Sequence, residues 1–240
     1  MAVISAKPLR AAGLRITKTD NCGVVVDTTT ELNSQVVMSD FISLAFSPEI
    51  SAGEVFEQRA ASGNICISDR SDPDKLLGFN VTLGFCGLPS HIVEFLLGGT
   101  SITRDDGQGG TDIVGGILPA TDLDTATQTS TYTTLEVWAR NSDKSACNQG
   151  GGFNGNYVRY IFPLVYKWQI SSDITFANDI INFELTAFAE QNENWTSPLT
   201  VASDPDLDVT QESAIAAGGA FSYLLTDTVP TAVQGYTNPS

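Results

Sequence analysis

The chain has 240 residues, which is long enough for one large all-β domain or two small ones, and we expect one. Its 28 acidic residues against 12 basic ones give a formal net charge of −16, which argues against a site built to grip phosphates. No apolar run approaches the roughly 20 residues that span a bilayer, so no membrane insertion is expected.

The N-terminus, MAVISAKPLR, has no basic region ahead of a long apolar segment, so we expect no secretory signal and synthesis in the cytoplasm. Residues 1–20 show little periodicity and are predicted to form an extended arm that a partner orders. This arm carries Lys7, Arg10, Arg15 and Lys18, whereas no Lys or Arg follows Lys167. Two interpretations stay open: a chance distribution that serves solubility, or attraction between the basic arm of one copy and the acidic end of another.

Three short strands are predicted in the following part of the chain, over residues 23–26, 36–46 and 65–68. Ser47-Pro48 is expected to end the second of them. Residues 50–63 are predicted to form a mixed polar connection, in which Val55 and Phe56 are candidates for exposed apolar side chains.

The clearest pattern in the chain lies between Leu76 and Gly99. Large apolar residues alternate there with small or polar ones, which predicts a strand with one face in the core. The apolar set is Leu77, Phe79, Val81, Leu83 and Phe85, and the opposite set is Gly78, Asn80, Thr82 and Gly84. The two glycines leave room for another backbone or subunit to approach, or mark a local bend. Pro89, the helical spacing of Ile92, Val93, Leu96 and Leu97, and Gly98 then predict a helix of two to three turns that lies against a sheet.

The second half of the chain alternates Gly-rich loops with strands. Loops are expected over residues 99–131 and 141–156, and strands over 132–139, 157–165, 174–176, 180–189 and 199–201, with a last apolar cluster at 214–225. Pro163 indicates an edge strand or a bulge. The pattern predicts a mainly β protein, a β-sandwich or barrel with one short flanking helix, as a single domain over residues 21–225 followed by a C-terminal tail at 226–240.

Groups for catalysis or metal binding are few. His91 is the only histidine, and no nucleophile elbow, zinc-protease or Walker motif occurs, so we expect no enzyme and no cofactor. Asp204, Asp206 and Asp208 resemble the start of a calcium loop that Val209 then breaks, and weak cation binding there stays open. The three tryptophans, Trp138, Trp168 and Trp195, are expected in the core or an interface, with a carbohydrate platform as the alternative.

Three stretches together resemble the major tail proteins of long-tailed bacteriophages, especially those of actinobacterial phages. They are EISAGEVFEQRAASGNIC at 49–66, GFNVTLGFCGLPSHIVEFLLGG at 78–99, and ITFANDIINFELTAFAE at 174–190. The resemblance implies a β-sandwich with a flanking helix that assembles into stacked, hexameric rings, the tube of a virion tail, through which DNA passes without tight binding.

The resemblance also implies where copies meet. In the family, the loop after an early strand contacts the adjacent ring, and residues 47–63 occupy the matching place; Glu54, Val55, Phe56, Glu57 and Arg59 are therefore the candidate inter-ring contacts. Partners would be further copies and other tail proteins, such as tape measure and terminator proteins. The alternative function is a carbohydrate-binding or decoration β-sandwich on a virion or cell surface.

Overall fold

A computed structural model describes residues 7–20, 22–24, 26, 34–53, 55–70, 73–87, 90–98, 100–104, 113–118, 132–142, 155–171, 182–195, 215, 219–230 and 236–237. The elements are β1 (Pro8–Thr19), β2 (Gln35–Met38), β3 (Phe41–Ser51), β4 (Val55–Arg59), β5 (Ile65–Arg70), β6 (Lys75–Cys86), α1 (Ser90–Leu97), β7 (Thr100–Arg104), β8 (Ile113–Leu118), β9 (Tyr132–Asn141), β10 (Tyr157–Ile170), β11 (Asn182–Glu190), β12 (Ser222–Thr226) and β13 (Tyr236–Thr237). The protein is mainly β, as the sequence predicts.

Nine strands form one antiparallel sheet in the order β13-β2-β1-β9-β10-β11-β6-β3, with β12 attached to β10. Strand β10 divides this sheet, because one of its edges pairs with β12 along Tyr157–Ile161 and with β11 along Leu164–Ile170. We call β13-β2-β1-β9-β10-β12 the first half-sheet and β10-β11-β6-β3 the second half-sheet. Side chains from both halves share one apolar core, which is the arrangement expected for a sandwich or barrel.

The bend in β10 lies next to Pro163. The register shifts between Phe162 and Val165 against β9, and again between Tyr166 and Gln169 against β11. Lys167 has a φ of 58°, a left-handed conformation that is unusual for a residue with a side chain. Because β10 is paired along both edges, Pro163 marks a bulge and not an edge strand, one of the two expectations from the sequence.

The alternating strand and the helix predicted around Leu76–Gly99 are both present, as β6 and α1. The buried core side chains of these two elements are Val81, Leu83, Phe85, Ile92, Val93, Phe95 and Leu96. The prediction that Leu77 belongs to the core is wrong: it is 49% exposed, at a shift in the register of β6 against β3. Gly98 follows the helix with a φ of 69°, and its N–H donates to the carbonyl oxygen of Glu94 at 3.2 Å. The helix therefore ends at a left-handed glycine and covers the core that the strands enclose.

The two glycines of β6 allow close packing within the chain. A Cβ at Gly78 would collide with the backbone carbonyl oxygen of Ala189 and with the ring of Phe188, both on β11. A Cβ at Gly84 would lie 2.6 Å from Ser43 Oγ, on β3. The expected close approach at these positions is thus made by neighbouring strands of the same chain and not by another subunit.

Two strand predictions in the first quarter of the chain are wrong. Residues 23–26 form no strand in their described part, because Asp20 Oδ1 accepts the N–H groups of Cys22 and Val24, at 2.8 and 2.9 Å, and turns the chain. The single strand predicted at 36–46 is two strands, β2 and β3. They pair with different partners, β1 and β6, toward opposite ends of the strand order. Strand β3 also continues through Pro48 to Ser51, which an edge strand tolerates.

The boundaries predicted for the arm, the loops and the tail also need correction. Residues 8–19 are not an extended arm but β1, a central strand whose Leu14 and Ile16 lie in the core. Within the loop predicted at 99–131, β7 and β8 form an antiparallel pair, and within the tail predicted at 226–240, β13 pairs with β2. The strands predicted at 174–176 and 199–201, most of the loop at 141–156, Cys147 and the Asp204–Asp208 cluster lie outside the described residues.

Across the described ranges, no helix has the length and apolar character needed to cross a membrane.

Candidate assembly surface

Strand β3 forms the outer edge of the second half-sheet. Of the described strands, only β6 pairs with it, and it runs for 11 residues. Three of its apolar side chains are substantially exposed: Ile42 at 51%, Phe46 at 40% and Ile50 at 60%. A long edge with exposed apolar side chains is a site at which another chain can add a strand.

The β3 edge is firmly held on the body of the protein. The ring of Phe46 lies 6.0 Å from that of Phe79, 5.4 Å from that of Phe162 and 4.9 Å from that of Phe221, measured between centroids. These contacts join β3 to the core of the sandwich and to the start of β12. The edge therefore offers a preformed surface to a partner, with little ordering cost.

A hairpin formed by β4 and β5 continues from the end of the β3–β6 pair. Its base is tied by the N–H of Gly53, which donates to Asp74 Oδ1 at 3.0 Å, and its tip turns at Gly63, with a φ of 84°. Ile65 and Ile67 on β5 are both more than half exposed. The register shifts between them, because Ile67 lies opposite Gln58 and Ile65 opposite Arg59, so the hairpin exposes one apolar side chain on either side of a bulge.

The structure places most of the predicted inter-ring candidates on this hairpin. Glu57 and Arg59 are exposed and form an ion pair with each other on β4. Val55 and Phe56 belong to the same strand, opposite Arg70 and Asp69 in the register. The segment is a β-hairpin and not the irregular connection expected for residues 50–63. Glu54 lies outside the described residues.

The side chains of the four basic candidates in the N-terminal segment lie in different environments. Lys7 and Arg10 are exposed near the start of β1. Lys18 is partly buried, with its Nζ 5.0 Å from the ring centroid of Phe95 on α1. Arg15 is buried, and its Nε donates to Glu136 on β9. The prediction that Arg15 contacts another copy is therefore wrong, because its side chain is paired inside its own subunit.

Arg15 belongs to a buried ionic cluster that sequence analysis missed. Arg159 on β10 donates through Nε to Glu136 Oε1 at 2.9 Å, so two guanidinium groups share one carboxylate. Burial alone would raise the pKa of Glu136, but the charges and hydrogen bonds of both arginines outweigh it and hold that pKa below its ordinary value. Alternation with Leu14 and Ile16, whose side chains point to the core, places Arg15 on the opposite face, but it does not show that this face is also buried.

A cleft of about 630 Å³ lies on the outward side of the second half-sheet. Within it, Tyr166 donates its hydroxyl to Glu190, and Asn80 Nδ2 donates to Glu49 Oε2 at 3.0 Å. Lys167 Nζ lies 5.1 Å from the ring centroid of Tyr166. Burial, followed by the hydrogen bond to Glu190 and its charge, raises the pKa of the Tyr166 hydroxyl well above its usual range, so this group stays a neutral donor.

Two further expectations concern metals and sugars. No group of three His, Cys, Asp or Glu side chains that could hold a metal ion occurs among the residues described above. Trp138, Trp168 and Trp195 are all buried, so they belong to the interior and provide no exposed platform for a sugar ring.

No protein-family model matches the chain, and a search of curated proteins finds no match either. The assignment of a function therefore depends on the chain's own residues.

Proposed function

We propose that the protein is a structural subunit of a bacteriophage tail, which assembles into rings that stack into the tube of the virion tail. The observation that carries this proposal is the β3 edge, with Ile42, Phe46 and Ile50 exposed, together with the hairpin that continues from it. A protein that stayed monomeric would gain nothing from such a surface and would risk aggregation through it.

Lateral contacts within a ring join the β3 edge of one copy to a different edge of the next. On the first half-sheet, β12 pairs only with β10 among the described strands, and Tyr223 on it is 60% exposed. Joining two different edges is a heterologous contact, and repeating it closes a ring when the rotation between copies allows. Ring closure removes the open edges of β3 and β12.

The β4–β5 hairpin makes the stacking contact between rings. It carries two exposed apolar side chains, Ile65 and Ile67, and the exposed ion pair of Glu57 with Arg59. Exposed charges of this kind contribute only about 0 to 1 kcal/mol each, so apolar contact supplies most of the affinity and the charges set the register.

The charge of the chain suits a conduit for DNA. Each phosphate contact would add affinity through counterion release and slow the passage of the duplex. A subunit with a net charge of −16 avoids such contacts. The proposed partners are therefore further copies and other tail proteins, such as tape measure and terminator proteins, while DNA passes without tight binding.

The test is the assembly state of the purified full-length chain, measured by light scattering coupled to gel filtration and by negative-stain microscopy. Rings or tubes are expected for the wild type, and monomers for a variant with Ile42→Lys and Ile50→Lys. The control combines Ile102→Lys and Ile170→Lys, which adds the same two charges at exposed apolar residues away from β3 and should assemble normally. Wild-type protein that stays monomeric at every concentration contradicts the proposal, and sugar affinity of that monomer would favour the carbohydrate-binding alternative.

A further inference from the structure

Five buried side-chain atoms in the described part of the chain have no hydrogen-bond partner: Arg15 Nη1, Arg15 Nη2, Thr19 Oγ1, Ser34 Oγ and Trp195 Nε1. All five can donate a hydrogen bond, and the three nitrogens can only donate. The three nitrogens therefore need acceptors, and the two hydroxyl groups can use them.

Four of these atoms, on Arg15, Thr19 and Trp195, belong to residues around one face of the first half-sheet, the face turned away from the apolar core. Arg15 and Thr19 alternate along β1 with core residues, whereas Ser34 lies beside Lys18 and therefore on the other face. Trp195 packs on Ile161, and Ile161 pairs with Glu136, the direct partner of Arg15. The need for acceptors is therefore concentrated on one buried layer.

Arg15 has the largest number of buried N–H groups without an acceptor. Its guanidinium donates only through Nε to Glu136, and its Cζ lies 5.2 Å from the ring centroid of Trp138. The Cζ of Arg159 also lies 5.2 Å from that ring, so two guanidinium groups approach the same indole. Leaving the N–H groups of a buried charged side chain without acceptors costs more than leaving neutral ones unpaired.

We propose that a small monovalent anion of the size of chloride binds inside the first half-sheet, at Nη1 and Nη2 of Arg15. An anion accepts hydrogen bonds without bringing donors of its own, whereas a water molecule would add two hydrogens to a set that already lacks acceptors. The positive charge of Arg15 and the second guanidinium beside it favour the anion further. Arg15, Trp138 and Glu136 are each at most 2% exposed, so larger anions such as phosphate are excluded.

The first experiment measures the thermal midpoint of the full-length protein at constant ionic strength while chloride replaces gluconate, an anion too large for a closed site. An anion that binds only the folded state raises the midpoint in proportion to the logarithm of its concentration once the site is half filled. We expect such a rise of several degrees in the wild type and none in Arg15→Lys, which keeps the charge but lacks both Nη atoms. The control Arg140→Lys, at an exposed position of β9, should respond as the wild type does.

A second measurement covers the case in which Arg15→Lys does not fold. Wild-type crystals soaked in bromide should show an anomalous peak within hydrogen-bond distance of Arg15 Nη1 and Nη2. A midpoint that does not depend on chloride, an equal dependence in Arg15→Lys, or bromide-soaked crystals with only water at this position would each overturn the proposal.

Discussion

Arg15 and Glu136 face each other across β1 and β9, on the side of the sheet that the apolar core does not occupy, and each is at most 1% exposed. The carboxylate also accepts hydrogen bonds from Arg159, so one acidic side chain ties three strands together. The sequence pattern assigned Arg15 to an exposed basic arm. The side chain is instead buried within the first half-sheet and links its strands through Glu136.

The first prediction concerns Glu136→Gln, which removes the negative charge from between two buried guanidinium groups. Because an unpaired charge is left in the interior, the free energy of unfolding should fall by about 3 to 5 kcal/mol. The matched control is Glu57→Gln, which breaks the exposed ion pair with Arg59 and should cost at most about 1 kcal/mol. Urea titrations followed by tryptophan fluorescence give both values, and equal losses in the two variants would show that burial of the pair has no special weight.

A second prediction follows from the lowered pKa of Glu136. Since the unfolded chain takes up a proton at the ordinary value of 4.5 while the folded carboxylate resists it, the stabilisation is complete above that pH and is lost as the pH falls through the folded-state pKa. The difference in unfolding free energy between the wild type and Glu136→Gln should therefore be large at neutral pH and smaller near about pH 3. A difference that stays constant over this range would contradict the assigned pKa direction.

Elements with a strong period of their own were predictable from the sequence. The alternation from Phe79 to Phe85 and the helical spacing from Ile92 to Leu97 each repeat often enough to fix both the element and its buried face, whereas Leu77, at the start of the same pattern, is exposed. The run VVMSDFISLAF was wrongly predicted as one strand because the chain passes from β2 in one half-sheet to β3 in the other at Ser39-Asp40, and the local pattern does not show which partner each strand takes.

The sequence predicted where the candidate assembly surface lies in the chain, but not the structure it adopts. The resemblance placed the contact segment near Phe56, but the hairpin form of that segment depends on pairing between β4 and β5. Arg15 was assigned wrongly because a charged residue in a strand indicates an exposed face unless a partner is known. That partner, Glu136, lies more than a hundred residues further along the chain.

The third prediction uses the two glycines of β6. Gly78→Ala should cost about 1 to 3 kcal/mol, because the new methyl group meets a backbone carbonyl that cannot move without disturbing β11. Gly84→Ala should cost less, since it meets the hydroxyl of Ser43, and the added change Ser43→Ala should recover most of that loss. A double-mutant cycle in urea measures this coupling, and purely additive effects of Gly84→Ala and Ser43→Ala would show that the contact does not exist.

The fourth prediction separates the structural and the surface roles of the N-terminal segment. Deleting residues 2–18 removes most of β1, including Leu14, Arg15 and Ile16, so the truncated chain should fail to fold as judged by circular dichroism. Reversing only the exposed charges, with Lys7→Glu and Arg10→Glu, should keep the melting temperature within a few degrees. If the basic end attracts the acidic end of another copy, this variant should assemble more slowly at low salt; equal rates by light scattering would leave the segment with a structural role alone.

The last prediction concerns stacking. Phe56 lies on β4, in the hairpin that continues from the β3–β6 pair, and the proposed function makes this hairpin the contact between rings. Phe56→Asp should therefore prevent tubes while single rings still form, because the lateral contacts depend on β3 and not on the hairpin. Gln58→Asp adds the same charge to an exposed residue of the same strand without removing an apolar side chain, and it should still form tubes. Negative-stain images of the two variants at matched concentration decide the matter. Tubes of normal length from Phe56→Asp would exclude this residue from the contact between rings, and monomers in place of rings would show that the hairpin also takes part in the lateral contact.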